Sequence, residues 1–141
     1  MLMATRGPIE TVYVAGRMRG LPAYNVPSFL AARESLRAQG YEVVLPHDIL
    51  APTETDVAGL LAEDIRLILD VDAVVVLPQW YKSEGASFEV YVAHFLGKPI
   101  LDYKTLQPVH EADLPQHNWH LTGTKKNPVT LQMRELERSI S

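Results

Sequence analysis

Two runs of apolar residues give the clearest strand signals in the chain. Residues 11–15 are β-branched and aromatic and end at Gly16, whereas residues 73–77 form a continuous apolar run. A continuous rather than alternating run is typical of a strand that helices cover on both faces. Two shorter runs, residues 41–45 and 100–103, predict two further strands.

Helical periodicity fills the intervals between these strands. Apolar residues recur every three to four positions in three segments, residues 26–39, 57–70 and 86–96. Strands that alternate with helices across short connections predict an α/β fold, a flavodoxin-like or Rossmann-like three-layer sandwich with a parallel sheet of four to five strands. We expect residues 1–104 to form this domain. Residues 105–141 have no clear period and predict a C-terminal arm with a short final helix.

Composition narrows the chemistry that the chain can perform. Its 141 residues are 47% hydrophobic, enough for one core without a stabilising metal or disulfide. The absence of cysteine excludes thiolate catalysis, iron–sulfur clusters and cysteine zinc sites. A net charge of −4 does not favour a nucleic-acid binder. No uncharged run reaches the ~20 residues of a membrane span, and residues 1–10 lack the apolar core of a signal peptide. We therefore expect a soluble, cytoplasmic protein that does not bind membranes.

Two of the predicted helices each place one acidic residue among their apolar positions, Asp64 in the second helix and Glu89 in the third. An unpaired buried carboxylate is unfavourable, so such acids either find partners or line a cavity. A backbone bond to Asp64 and an arginine partner for Glu89 would explain either acid alone. Because both helices flank the strand at residues 73–77, we favour a shared cleft at the carboxyl ends of the strands.

The two acids suggest a division of roles within that cleft. We place Glu89 in the first turn of its helix, where the helix dipole favours a charged carboxylate that serves as a nucleophile or stabilises a cation. A second acid in an apolar setting, Asp64, can donate a proton. Paired carboxylates with such roles commonly cleave glycosidic C–O and C–N bonds.

Two glycine-containing segments are typical of anion binding. In residues 16–20 the glycines let the backbone approach a ligand, and Arg17 and Arg19 offer forked donors. Residues 83–86 begin the third helix, where free amides and the hydroxyl of Ser83 can hold a phosphate. Neither segment is a Walker loop or a dinucleotide fingerprint, and either one alone is more simply an ordinary turn.

Four segments follow one another in a distinctive order and at a distinctive spacing: residues 12–20, 62–65, 72–76 and 83–89. Together they resemble the nucleoside 2-deoxyribosyltransferase superfamily. The most similar branches are the 2′-deoxynucleoside 5′-monophosphate N-glycosidases and the DUF4406-like group, which phages and prophages often encode. The stretch at residues 21–25 and the Ser-x-Gly-x-x-x-Glu spacing look most like the second branch.

The resemblance implies a role for each matching residue. Glu89 would attack or stabilise positive charge at the sugar C1′, Asp64 would assist the departing base or handle the sugar hydroxyl, and Tyr13 would orient the glutamate. Gly16, Arg19 and Gly20 match the loop that lies along the nucleotide. Arg17 departs from the family at a position where smaller residues are common, which would make the entrance narrower or more cationic. The matching phosphate-binding turn comprises Ser83 and Gly85.

Four further features have interpretations of their own. Trp80 could stack on a base or anchor a packed loop, and His47, at the expected edge of the cleft, could contact the base. Asp72 is better explained by a structural capping role than by catalysis. His117 and His120 are three residues apart, but a metal site there is disfavoured because no cysteine accompanies them.

The sequence thus predicts an enzyme that cleaves the N-glycosidic bond of a (deoxy)nucleoside 5′-monophosphate without a metal or organic cofactor. Hydrolysis is favoured over transfer because anion-binding groups fit a monophosphate better than a free nucleoside. The alternatives are a non-catalytic protein that binds or sequesters a nucleotide derivative and an NAD-type glycohydrolase. The resemblance also implies a homodimer, formed through the second or third helix and the C-terminal arm, in a bacterial or phage-infected cytoplasm.

Overall fold

The computed structural model describes residues 8–46 and 57–114. A four-stranded, fully parallel sheet has the strand order β2-β1-β3-β4. Its strands are β1 (Thr11–Ala15), β2 (Glu42–Val44), β3 (Ala73–Val76) and β4 (Ile100–Asp102), and the helices are α1 (Val26–Ala38), α2 (Val57–Leu69) and α3 (Glu84–Phe95). The predicted α/β fold is confirmed. None of these helices has the length and apolar character needed to cross a membrane.

Side chains of β1 and β3 alternate between two buried layers. One layer packs against α1 through Phe29, Ala32 and Leu36. The other packs against α2 and α3 through Ile68 and Val90. Because both faces of each strand are covered, β3 is buried at every position. The continuous apolar runs in the sequence therefore reflect a three-layer sandwich.

The beginning of α3 differs from the prediction. The helix starts at Glu84 instead of at residue 86, and Ser83 is its N-cap. The Ser83 Oγ accepts a hydrogen bond from the Ala86 amide at 3.1 Å. Glu89 consequently lies in the second turn of α3, so the expectation of a first-turn position was wrong. The helix dipole acts mainly within the first turn and contributes less at Glu89 than expected.

The residues that follow β4 fold back onto the edge of the sheet. Leu101 forms an antiparallel bridge with Pro108, and the Val109 amide donates to the Ile100 carbonyl at 2.8 Å. Leu114 is buried in the core beneath α3. The first part of the predicted C-terminal arm is therefore joined to the sheet. The rest of the arm, with its predicted helix, lies outside the described residues.

Candidate active site

A cavity of about 470 Å³ lies at the carboxyl ends of β1 and β3, beside the start of α3. Its lining includes Asp64 from α2 and Glu89 from α3. Both side chains are only 5% exposed. In open α/β sheets, ligands bind at this edge of the sheet. The structure therefore brings the two predicted acids into one concave site.

The amphipathic character of α2 turns Asp64 inward. On the solvent side of the helix, Glu63 and Arg66 form an exposed ion pair at 3.1 Å. On the inner side, Leu61 and Ile65 pack against Phe88 of α3. Across residues 8–46 and 57–114, Asp64 and Glu89 are the only charged side chains that are buried. Their burial at the cavity, rather than among the exposed charges, marks them as candidate functional groups.

Tyr13 lies beneath the site and not in its lining. Its side chain is fully buried in β1, in the same core cluster as Ala86 and Val90 of α3. The tyrosine therefore packs in the same core cluster as the helix that carries Glu89, and it is not among the side chains that line the cavity. Its predicted role in orienting Glu89 remains a prediction.

Three cationic side chains line the cavity together with the acids: Arg17, Arg19 and Lys82. Arg19 and Lys82 are exposed and Arg17 is partly buried, so positive charge lies at the mouth while Asp64 and Glu89 lie deep inside. Sequence reasoning missed Lys82, although its position directly before Ser83 was a usable signal. It also missed Glu84, another acidic residue in the lining.

The predicted glycines and Ser83 have distinct positions around the mouth. Gly16, Ser83 and Gly85 line the cavity, but Gly20 does not. Gly20 has a φ of +82°, and a Cβ on it would lie 3.3 Å from Nη2 of Arg17. This glycine therefore leaves room for the Arg17 guanidinium instead of contacting a ligand in the cavity itself.

Trp80 lines a different cavity from the two acids. That second cavity of about 590 Å³ is also lined by Tyr81, Asp102 and His110. Trp80 is only 7% exposed and packs into the core beside Val90. The interpretation of Trp80 as a packed anchor fits this position, and its expected contact with a base does not arise in the Asp64–Glu89 cavity.

The histidines singled out in the sequence, His47, His117 and His120, lie outside the described residues. Within the part of the chain that the structure describes, no three His, Asp or Glu side chains form a group that could hold a metal ion.

Asp72 binds the start of β1, at the end of the strands opposite the cavity. Its Oδ2 accepts hydrogen bonds from the amides of Glu10 at 2.9 Å and Thr11 at 3.0 Å, and from the Thr11 hydroxyl at 3.2 Å. The backbone bond from Glu10, followed by that from Thr11, lowers the pKa of the Asp72 carboxyl below 3.8. Asp72 precedes β3, whereas the cavity lies where β3 ends, so its role is structural, at the start of β1.

The architecture and the cavity correspond to a recognised sequence family. The family model described as a domain of unknown function, DUF4406, matches residues 10–102. The chain belongs to this family. The matched region of the DUF4406 protein runs from β1 to β4 and contains both buried acids.

Two solved structures share the fold of this DUF4406 protein. A 2-desoxiribosyltransferase from Leishmania mexicana aligns with a TM-score of 0.52 and 23% identity, over 66% of this chain and 63% of that enzyme. A 2-deoxyribosyltransferase from the psychrotolerant bacterium Bacillus psychrosaccharolyticus aligns with a TM-score of 0.52 and 20% identity, over 65% of this chain and 70% of that enzyme. The match thus spans less than two thirds of the Leishmania enzyme. No curated protein matches the sequence.

Proposed function

We propose that this DUF4406 protein cleaves the N-glycosidic bond of a (deoxy)nucleoside 5′-monophosphate. The observation that carries the proposal is the pair of buried acids, Asp64 and Glu89, in one cavity with cations at its mouth. Deep carboxylates suit the positive charge that develops on the sugar when its bond to the base breaks. The shared fold with two 2-deoxyribosyltransferases supports glycosyl chemistry in this cavity.

In the proposed reaction the C1′–N bond breaks and its electron pair leaves with the base. Asp64 supplies a proton to the departing base and regains one from the attacking water; alternatively, it binds the sugar hydroxyl and the base takes its proton from water. Glu89 either forms a bond to C1′ that water later hydrolyses, or stabilises the oxocarbenium ion while water attacks C1′ directly. Either route yields the free base and the sugar 5-phosphate. Tyr13 acts only indirectly, because it supports α3 from below.

The mouth of the cavity would hold the 5′-phosphate. Arg17, Arg19 and Lys82 supply positive charge there. The Ser83 Oγ accepts a hydrogen bond from the Ala86 amide, and its own hydroxyl proton can still be donated to a phosphate oxygen. Gly85 leaves the first turn of α3 open to a ligand. Because these groups favour an anion, hydrolysis of a monophosphate is preferred to transfer between free nucleosides.

A substrate panel tests the proposal. The protein is incubated with each (deoxy)nucleoside 5′-monophosphate, with and without an acceptor base, and the free base is measured by chromatography. Release of base by the wild type and its loss in Glu89→Ala would support the proposal. Glu63→Ala is the matched control, because Glu63 is an exposed acid of α2 outside the cavity. No release from any nucleotide, or equal release by Glu89→Ala, would refute it.

The same experiment separates the alternatives. If nucleotides raise the melting temperature but are recovered intact, the protein is a nucleotide-binding module. If NAD releases nicotinamide while the monophosphates stay intact, the protein is an NAD-type glycohydrolase.

A further inference from the structure

Three consecutive residues before α1 adopt left-handed backbone conformations. The φ angles of Ala23, Tyr24 and Asn25 are +53°, +53° and +62°. In residues other than glycine this conformation brings Cβ too close to the following carbonyl oxygen and is unfavourable, least so for asparagine. Such conformations persist only where the surrounding structure enforces them, and they cluster at ligand-binding sites.

The side chain of Asn25 does not perform the function expected at its position. Asn25 is the N-cap residue of α1, where asparagine usually accepts a hydrogen bond from an amide in the first turn, yet its side chain makes no such bond. Instead, its Nδ2 donates to the Arg17 carbonyl at 2.9 Å. The left-handed turn directs the amide away from the helix and towards the wall of the cavity.

Asn25 is bonded to the segment that contains Arg17, one of the three cationic residues that line the cavity. Arg17 lines the cavity, and it forms no ion pair with the described residues. Two backbone bonds continue the turn: the Tyr24 amide donates to the Leu21 carbonyl at 3.0 Å, and the Leu21 amide donates to the Met18 carbonyl at 3.4 Å. Gly20 leaves space beside the Arg17 guanidinium.

We propose that Asn25 is a positioning residue that fixes Arg17 for the anionic group of the ligand. The strained turn places the Asn25 amide on the Arg17 carbonyl, so the backbone that carries this arginine is fixed before a ligand arrives. Preorganisation of this kind lowers the entropic cost of binding. The inference rests on the proposed function, in which Arg17 contacts the 5′-phosphate.

Substitutions at position 25 separate the hydrogen bond from the backbone strain. Asn25→Gly keeps a backbone that readily adopts a positive φ but lacks the amide, whereas Asn25→Ala also adds strain. For a nucleotide that the wild type cleaves, we expect Asn25→Gly to raise KM by about three- to tenfold, the size of one lost hydrogen bond, with kcat within about twofold. Asn25→Ala should melt at a lower temperature than Asn25→Gly. Gln39→Ala is the matched control, because it removes a side-chain amide bond to a backbone carbonyl at the other end of α1.

A double substitution shows whether Asn25 acts through Arg17. If it does, Asn25→Gly should raise KM in the wild type but not further in Arg17→Ala. An equal rise of KM in both backgrounds, or an unchanged KM in Asn25→Gly, would overturn the proposal. If Asn25→Gly does not fold, Asn25→Asp replaces it, since it tolerates the left-handed backbone and has no amide to donate.

Hydrogen exchange gives a readout that does not need activity. The amides of Leu21 and Tyr24, which donate to carbonyls within the turn, should exchange at least about tenfold faster in Asn25→Gly than in the wild type, while those of β1 stay unchanged. Equal exchange in the two proteins would overturn the positioning role. Faster exchange in a protein whose wild type cleaves no nucleotide would refute the proposed function alone and leave the positioning role supported.

Discussion

A single methyl group at Gly85 should change stability and activity in opposite directions. A Cβ on Gly85 would lie 3.9 Å from Leu61 Cδ1 and 3.9 Å from Ser83 Oγ, which are ordinary van der Waals distances. Gly85 is the second residue of α3, and replacing glycine by alanine in a helix stabilises it by roughly 0.5–1 kcal/mol. For a chain of this size that corresponds to a rise in melting temperature of about 2–3 °C.

The same methyl group would stand in the proposed phosphate subsite. Loss of one hydrogen bond to a charged phosphate costs about 1.5–3 kcal/mol, and 1.4 kcal/mol corresponds to about tenfold. We therefore expect kcat/KM for a monophosphate to fall by about ten- to a hundredfold in Gly85→Ala.

Two measurements on Gly85→Ala check this prediction, circular dichroism during heating and chromatographic release of base. A lower melting temperature would show that the start of α3 has no room for the methyl group. A stabilised protein with wild-type kcat/KM would show that Gly85 is not part of the ligand site.

Substitutions at three further positions test the packing and hydrogen bonds of the fold. Gly16→Ala should lower the free energy of unfolding by about 1–3 kcal/mol, measured in urea, because its Cβ would lie 2.9 Å from Leu77 Cδ1; an unchanged value would contradict the close packing. Ser83→Ala should cost about 1 kcal/mol through loss of the N-cap, and Ser83→Gly only a few tenths; equal losses on urea unfolding would argue against capping. Asp72→Ala should lower the melting temperature at pH 7, but its difference from the wild type should shrink below pH 3.8. The lowered pKa stabilises the fold above the unfolded-state value and this contribution is lost as the carboxyl protonates, so a difference independent of pH would refute this role.

The sequence pattern was sufficient for the layers of the fold because burial dictates that pattern directly. The run at residues 73–77 is apolar at every position because helices cover both faces of β3. The same reasoning brought Asp64 and Glu89 to one cavity, since each acid interrupts an apolar helix face that packs against the other helix.

Other features depend on tertiary contacts that no local pattern contains. Trp80 packs into the core from a short turn. It lines the second cavity, whereas Lys82, two residues later, lines the cavity of the two acids. The earlier start of α3 is the exception, because the Ser83 cap is a local signal: its hydroxyl accepts the Ala86 amide three residues later and starts the helix at Glu84. The left-handed turn before α1 includes Ala23 and Tyr24, whose side chains do not favour a positive φ, and it is joined to Arg17 by the Asn25 amide, so the types of its residues do not predict it.

The rate of base release in a double-mutant cycle of Asp64→Asn and Glu89→Gln tests most directly whether both acids act on one substrate. For the nucleotide that the wild type cleaves, each single substitution should reduce kcat by at least about a hundredfold. The kcat of the double variant should be little lower than that of the less active single variant, because the effects of groups that act as a unit are not additive. Wild-type kcat in either single variant, or losses that multiply in the double variant, would contradict a shared reaction centre.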